Sequence, residues 1–164
     1  MNQFTDSVTE ALQAAFAEAQ RRNQTEVTEN HLLWAFLQDP QGYFNSILSN
    51  LGAKPQTLLR EVEHNLEHLP TFSGSTAQPP SAARSLQNRI TDAQNIAQSW
   101  KDSYTSSDHF LISYWKNGGE PFASWKNSTK LSLNQVEEQI KKIRGDRRMD
   151  SPSAESNLQA LDKY

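Results

Sequence analysis

Four histidines, many serines and carboxylates, and no cysteine define the chemistry open to this 164-residue chain. His31 and His109 stand in matching contexts, each before two apolar residues. Such a pair reads either as a metal or acid–base couple, or as two partly buried rings that bond backbone at a helix start. The second reading is the expectation. His64 and His68 are four apart, which places both on one helix face at a spacing zinc accepts. No third ligand is evident beside them, and Glu61, Glu63 and Glu67 make the segment read as a solvated face, so no metal is expected. The lack of cysteine removes disulfides, thiolate metal sites and thiol nucleophiles.

Serine, histidine and aspartate are all present, but no Gly-x-Ser-x-Gly elbow accompanies them, which argues against a hydrolase triad. No Gly-x-x-x-x-Gly-Lys-[Ser/Thr] loop is present to cradle a nucleotide's phosphates. Neither catalysis nor a cofactor is therefore expected of this chain. The opening Met1-Asn2-Gln3-Phe4-Thr5-Asp6 has no basic and no apolar signal region, so a cytoplasmic setting is expected. In that setting Arg144-Gly145-Asp146 reads as linker rather than adhesion motif. Asn23-Gln24-Thr25 and Asn127-Ser128-Thr129 are discounted as glycosylation sites on the same ground. A net charge of −3 gives no footprint for nucleic acid or an anionic membrane. The four tryptophans read as core rather than a base-stacking platform. Apolar runs fall far short of the roughly 20 residues a membrane span needs.

The elements that would position these groups are helical. With 35% hydrophobic and 21% charged residues, the chain fits a globular domain. Phe4, Val8, Leu12, Ala15, Phe16 and Ala19 recur at spacings of three and four and predict a first helix. Thr28 and Asn30 read as caps for a short helix with Leu32, Leu33, Trp34, Phe36 and Leu37, ended at Asp39-Pro40-Gln41-Gly42. A third helix holds Phe44, Ile47, Leu48 and Leu51. A fourth starts near Pro55, where proline suits a first helical position, and carries Leu58, Leu59, Val62 and Leu66. Thr71 to Pro80 is linker chemistry.

The pattern then runs again. Leu86, Ile90, Ala93 and Ile96 form a stripe. Ser106, Ser107 or Asp108 caps a helix with Phe110, Leu111, Tyr114 and Trp115. Asn117-Gly118-Gly119 breaks it, and Phe122, Trp125, Val136 and Ile140 follow. Leu12-Gln13 aligns with Leu86-Gln87, Phe16 with Ile90 and Ala19-Gln20 with Ala93-Gln94. His31-Leu32-Leu33 aligns with His109-Phe110-Leu111. On this alignment the second copy has four extra residues before its histidine, about one helical turn. The expected architecture is all-α, two pseudo-symmetric four-helix repeats at residues 1–69 and 81–145, joined by a linker at 70–80. Residues 146–164 read as a polar, flexible tail, dispensable for folding.

These residues resemble the Clp N-terminal domain family over nearly the whole chain. The family pattern repeats a four-helix unit with a His-Leu-Leu-like segment opening each second helix, here Glu29 to Leu37 and Ser107 to Leu111. Leu69-Pro70-Thr71-Phe72-Ser73-Gly74 and Ala160-Leu161-Asp162-Lys163-Tyr164 are similar to ClpB-type disaggregases, the latter to the segment that opens their first AAA+ module. The chain departs from the family at Lys130, where a glycine is usual, and at Lys126, where a core leucine is common. Trp115 and Trp125 are bulkier than usual.

The resemblance implies a substrate-binding domain, without Walker motifs of its own, that engages unfolded or aggregated polypeptides. The parent would be a homohexameric ATPase using ATP and Mg and working with a DnaK-type chaperone system. Adaptor docking in a protease-coupled Clp unfoldase is the alternative. Carried over by position, the implied substrate-binding residues are Thr9, Ile90, Asp102 and Asp108, in a groove where the first helices of the two repeats meet. Each has a plainer reading: Thr9 on a solvated first turn, Ile90 in the core and Asp108 as a helix cap.

Overall fold

The computed structural model describes residues 3–74 and 78–162, and the side chains among these up to 158. Strand β1 (Gln3–Phe4) leads into α1 (Asp6–Arg21). Strand β2 (Glu26–Val27), α2 (Glu29–Leu37), α3 (Tyr43–Asn50) and α4 (Pro55–Glu67) complete a first repeat. The second comprises β3 (Ser81–Ala82), α5 (Arg84–Ser99), β4 (Tyr104–Thr105), α6 (Ser107–Asn117), α7 (Phe122–Thr129) and α8 (Leu133–Arg144). A further helix, α9 (Ala154–Asp162), follows. The helical duplication expected from the sequence is present. Among the described residues no helix is long and apolar enough to cross a membrane.

The register of the duplication differs from the sequence alignment. Elements β1 and β3 begin at residues 3 and 81, α1 and α5 at 6 and 84, α2 and α6 at 29 and 107, a constant offset of 78. Helices α1 and α5 have 16 residues each, so the extra turn inferred for the second copy does not exist. Burial fixes the alignment: Val8, Ala11, Ala15, Glu18 and Ala19 face the core of one helix, and Leu86, Arg89, Ala93, Ile96 and Ala97 that of the other. A stripe with helical spacing nearly repeats itself after four residues, so it can be slid one turn without losing its apolar matches. Leu12 therefore corresponds to Ile90, and Phe16 to Gln94.

The repeats exchange their short strands. β1 pairs in parallel with β4, and β3 pairs in parallel with β2, so each repeat lends its first strand to the other's second. The bonds beyond each ladder are also equivalent: Thr5 N–H donates to the Thr105 carbonyl at 3.1 Å, and Ala83 N–H to that of Val27 at 2.9 Å. Helix α1 packs on α2, and α5 on α6. The central seam is α2 against α5 and α3 against α6. The core runs continuously across it, with Phe36 stacked on Phe44 at 4.9 Å and 5.5 Å from Phe110. Trp115 and Trp125 are buried and meet Phe122 at 5.7 and 5.6 Å within the second repeat.

The two lysines unusual for the family each have a structural place. Lys130 caps α7 in the left-handed region at φ 60°, where the first repeat uses Gly52 at φ 81°. Lys126 stands where the first repeat buries Leu48, and extends its ammonium to the Trp115 carbonyl at 2.9 Å. Its aliphatic stem covers apolar surface while the charge finds an acceptor at the edge.

The expectation of a loose tail is corrected from residue 146 to 158. Met149 and Leu158 join the core, and α9 packs on α1, α3 and α8. Tyr104 N–H donates to the Met149 carbonyl, and Asp6 N–H to the Pro152 carbonyl, both at 2.9 Å. The tail's polar composition concealed two apolar anchors and a carboxylate that satisfies the helix ends it covers. Lys163 and Tyr164, which carry part of the resemblance to a following AAA+ module, lie outside the described residues, as do Met1, Asn2 and linker residues 75–77.

Candidate polypeptide-binding surface

The two matching contexts around His31 and His109 are structural. Each histidine sits at the third position of its helix in a capping box. Its Nδ1 accepts the N-cap backbone N–H, from Thr28 at 2.8 Å and from Ser106 at 2.9 Å. The Nε2–H of His31 donates to Gln24 Oε1 at 2.6 Å, and that of His109 to Asp102 Oδ2 at 2.7 Å. The backbone bond at the helix start is the one the sequence reading expected, but the rings are fully rather than partly buried and the second nitrogen of each bonds a side chain. Burial, with a smaller contribution from the Arg22 charge, lowers the pKa of His31 to about 4, although Glu18 opposes this. The neutral ring is the form its neighbours require, because a proton on Nδ1 would face the Thr28 N–H.

The surroundings of the second ring are charged. Arg144, at the end of α8, donates from Nε to Asp108 at 2.8 Å and from Nη1 to Asp102 at 3.0 Å. Tyr43 of the first repeat donates its hydroxyl to Asp108 at 2.7 Å, and Ser106 Oγ also donates to that carboxylate. Met149 N–H donates to Asp102 at 3.0 Å. Burial would raise both aspartate pKa values, but the surrounding positive charge and hydrogen bonds lower them, Asp108 to about 2. Beside this cluster, the fully buried Glu155 accepts from Thr5 Oγ1 at 2.8 Å and from the Ser107 N–H at 3.1 Å. A carboxylate there answers the unpaired donors at the start of α6, although burial raises its pKa.

Of the four residues implied as substrate-binding, the structure brings together only Asp102 and Asp108, and it buries both. The direct contact expected of them is corrected: their oxygens are committed to Arg144, His109 and neighbouring donors, and they hold α6, α8 and the tail in place. Thr9 is exposed on α1, and Ile90 is half-buried on the outer side of α5. Nor do α1 and α5, whose meeting was expected to form the groove, pack closely on each other: α1 packs mainly on α2 and α5 mainly on α6.

The outer face of α1 carries the apolar surface instead. Thr9, Leu12 and Phe16 follow at spacings of three and four. Leu12 is half-buried, and Phe16, at 36%, is the exposed large hydrophobic residue among those described. Spacing alone puts both in the core stripe. The signal that separates them is register: Val8, Ala11, Ala15 and Ala19 already complete a buried face, leaving Leu12 and Phe16 at its margin. Ile90 is the equivalent margin residue on α5. Across the turn from Thr9, a hollow of about 330 Å³ opens between α1, the α2–α3 connection and α9, lined in part by Glu10, Ala14, Phe36 and Glu155.

Residues 3–128 match the Clp repeat (R) N-terminal domain. The chain is 42% identical over 165 residues to the chaperone protein ClpB of Chlamydia pneumoniae, a match covering 100% of this chain and 19% of that protein. It spans about one fifth of the length of the curated relatives it matches. The crystal structure of the Hsp104 N-terminal domain from Candida albicans superimposes with a TM-score of 0.77 at 22% identity, over 94% of this chain and 99% of that one. A complex of a ClpV N-domain with a VipB peptide superimposes with a TM-score of 0.67 at 14% identity, over 85% of each chain. The chain thus belongs to the Clp repeat N-terminal domain family, with ClpB chaperones matching it along its whole length.

Proposed function

We propose that this chain is the substrate-engaging N-terminal domain of a ClpB-type disaggregase, and that it meets unfolded or aggregated polypeptide through the outer face of α1. The observation that carries the reading is Phe16, exposed on a helix that already has a complete core face, with half-buried Leu12 one turn before it and Thr9 alongside. An aromatic ring held on a rigid helix offers apolar contact at little entropic cost, and a nearby hydroxyl can bond exposed backbone. Ile90, the counterpart of Leu12, offers a second, weaker contact on the other repeat. Asp102 and Asp108 act indirectly, by fixing the scaffold. The peptide-bound ClpV N-domain supports the reading, since its fold accommodates a peptide. The parent would be a homohexamer in the cytoplasm that hydrolyses Mg-ATP in modules beyond this chain and works with a DnaK-type partner.

The test compares Phe16→Ser, Thr9→Ala and Ile90→Ser for thermal melting and for binding to a carboxymethylated, permanently unfolded protein. Phe16→Ser should leave the fold intact and weaken binding the most. Intact fold with unchanged binding would reject the α1 face. Titration with Mg-ATP should give no heat; a stoichiometric heat would overturn the assignment of ATP chemistry to the rest of the parent.

A further inference from the structure

His64 and Glu67 stand on the last turn of α4 and His68 is its C-cap, far in role from the binding face just described. All three are exposed, and one ligand atom from each lies within 4.8 Å of the other two. The third ligand that the sequence left unassigned is Glu67: the i, i+3 and i+4 positions of a helix share one face. A tetrahedral zinc with bonds of about 2.0–2.1 Å requires its ligand atoms about 3.3 Å apart. Exposed side chains close that difference by rotation about their own bonds, without moving the backbone.

Three further observations favour a cation here. His68 Nδ1 lies 2.9 Å from the His64 carbonyl. A carbonyl only accepts, so this nitrogen is the donor, which leaves Nε2 as the atom that can ligate, the arrangement metal-bound histidines adopt when their other nitrogen bonds backbone. The His64 and His68 rings lie side by side, with centroids 4.7 Å apart. The cluster also occupies the C-terminal end of a helix, where the backbone dipole favours positive charge. The chain's other two histidines do not compete: His31 and His109 are buried with both nitrogens bonded.

We propose that His64, Glu67 and His68 form a surface site for one divalent transition-metal ion, with zinc, nickel and copper favoured over magnesium and calcium. Two imidazoles and one carboxylate are a borderline donor set, which these ions accept and hard, oxygen-seeking cations do not. Three protein ligands leave at least one position open. Both histidines border a hollow of about 570 Å³ shared with Glu120, Pro121 and Ser124 at the start of α7. An ion at the site would therefore sit between the end of α4 in the first repeat and the start of α7 in the second.

The probes are zinc chloride and nickel chloride, titrated calorimetrically into the 164-residue chain, with magnesium chloride in parallel. The proposal requires one equivalent of zinc and of nickel and no magnesium heat. His64→Ala or His68→Ala should each weaken zinc binding at least about tenfold, and Glu67→Gln at least about threefold. Far-ultraviolet circular dichroism of each variant establishes that α4 remains folded. In a nitrogen-detected NMR spectrum of the wild-type chain, zinc should shift the Nε2 resonances of His64 and His68 and leave those of His31 and His109 in place. No stoichiometric uptake, uptake unaffected by the histidine substitutions, or shifts confined to other histidines would overturn the site. Unchanged affinity in Glu67→Gln would overturn the three-ligand assignment.

Discussion

Arg144 and Leu66 occupy the same position in the two repeats, and their difference decides how each repeat secures its buried histidine. Leu66 is fully buried, and its carbonyl accepts the Gln24 side-chain amide that in turn holds His31. At the matching positions the second repeat has Asp102 for Gln24, Asp108 for Asn30 and Arg144 for Leu66. One repeat solves the problem with neutral groups and the other with three charges.

Arg144→Leu alone should therefore destabilise the domain by about 3–5 kcal/mol, because it takes the positive charge away from two buried carboxylates. Adding Asp102→Gln and Asp108→Asn transplants the neutral solution and should recover most of that loss. Chemical denaturation of the single and triple variants checks this. A triple variant as unstable as Arg144→Leu would show that the second repeat cannot accept the neutral arrangement.

Stability should fall on mild acidification, with His31 responsible for the first part. Its pKa is about 4 in the folded chain, against 6.5 for a free histidine. The unfolded chain therefore binds the extra proton first, and stability is lost as pH falls from about 6.5 to 4, by up to roughly 3 kcal/mol. Asp108, held near 2 against 3.8, adds a second loss as pH falls below about 4. Glu155 works in the opposite direction, since a raised pKa favours folding at lower pH. Glutamine keeps a capping box possible, so His31→Gln should flatten the dependence between pH 4 and 6.5. An unchanged slope in that variant would remove His31 from the account.

Removing residues 146–164 should lower the melting temperature by more than about 5 °C, the shift that roughly 1–2 kcal/mol produces at this size. The deletion exposes surface covered by Met149 and Leu158 and withdraws the Glu155 carboxylate from Thr5 and the start of α6. Differential scanning calorimetry of the truncated chain decides it, and an unchanged midpoint would return the tail to the status of a linker.

Lys130→Gly should stabilise by about 1 kcal/mol. A side chain in the left-handed region costs roughly 1–2 kcal/mol, and Lys130 stands there at φ 60°. Glycine's greater freedom when unfolded offsets part of the gain. Urea denaturation would show a higher midpoint with little change in slope; a lower midpoint would mean that the lysine side chain contributes a contact of its own.

Much of the architecture was legible from residues acting locally. The breaks at Pro40–Gly42 and Gly118–Gly119, and Pro55 at a helix start, mark boundaries because they act through their own backbone preferences. The matched histidine contexts revealed the duplication, and the likeness of whole segments indicated the family. The register within α1 and α5 was not legible, because helical spacing tolerates a four-residue slide. Only the strand exchange and the burial of Ala11 and, at the matching position of the other repeat, of Arg89 resolve it. Nor could sequence tell that Phe16 faces outward while Asp102 and Asp108 lie inside. A hydrophobic residue at the margin of a stripe and an aspartate near a helix start each have two stable environments. The choice is made by distant groups: Arg144 and Tyr43 for the aspartates, and the already filled α1–α2 interface for Phe16. The sequence by itself determined where the helices form and that they form twice; the tertiary structure decided which polar groups are buried, because that depends on partners remote in the chain.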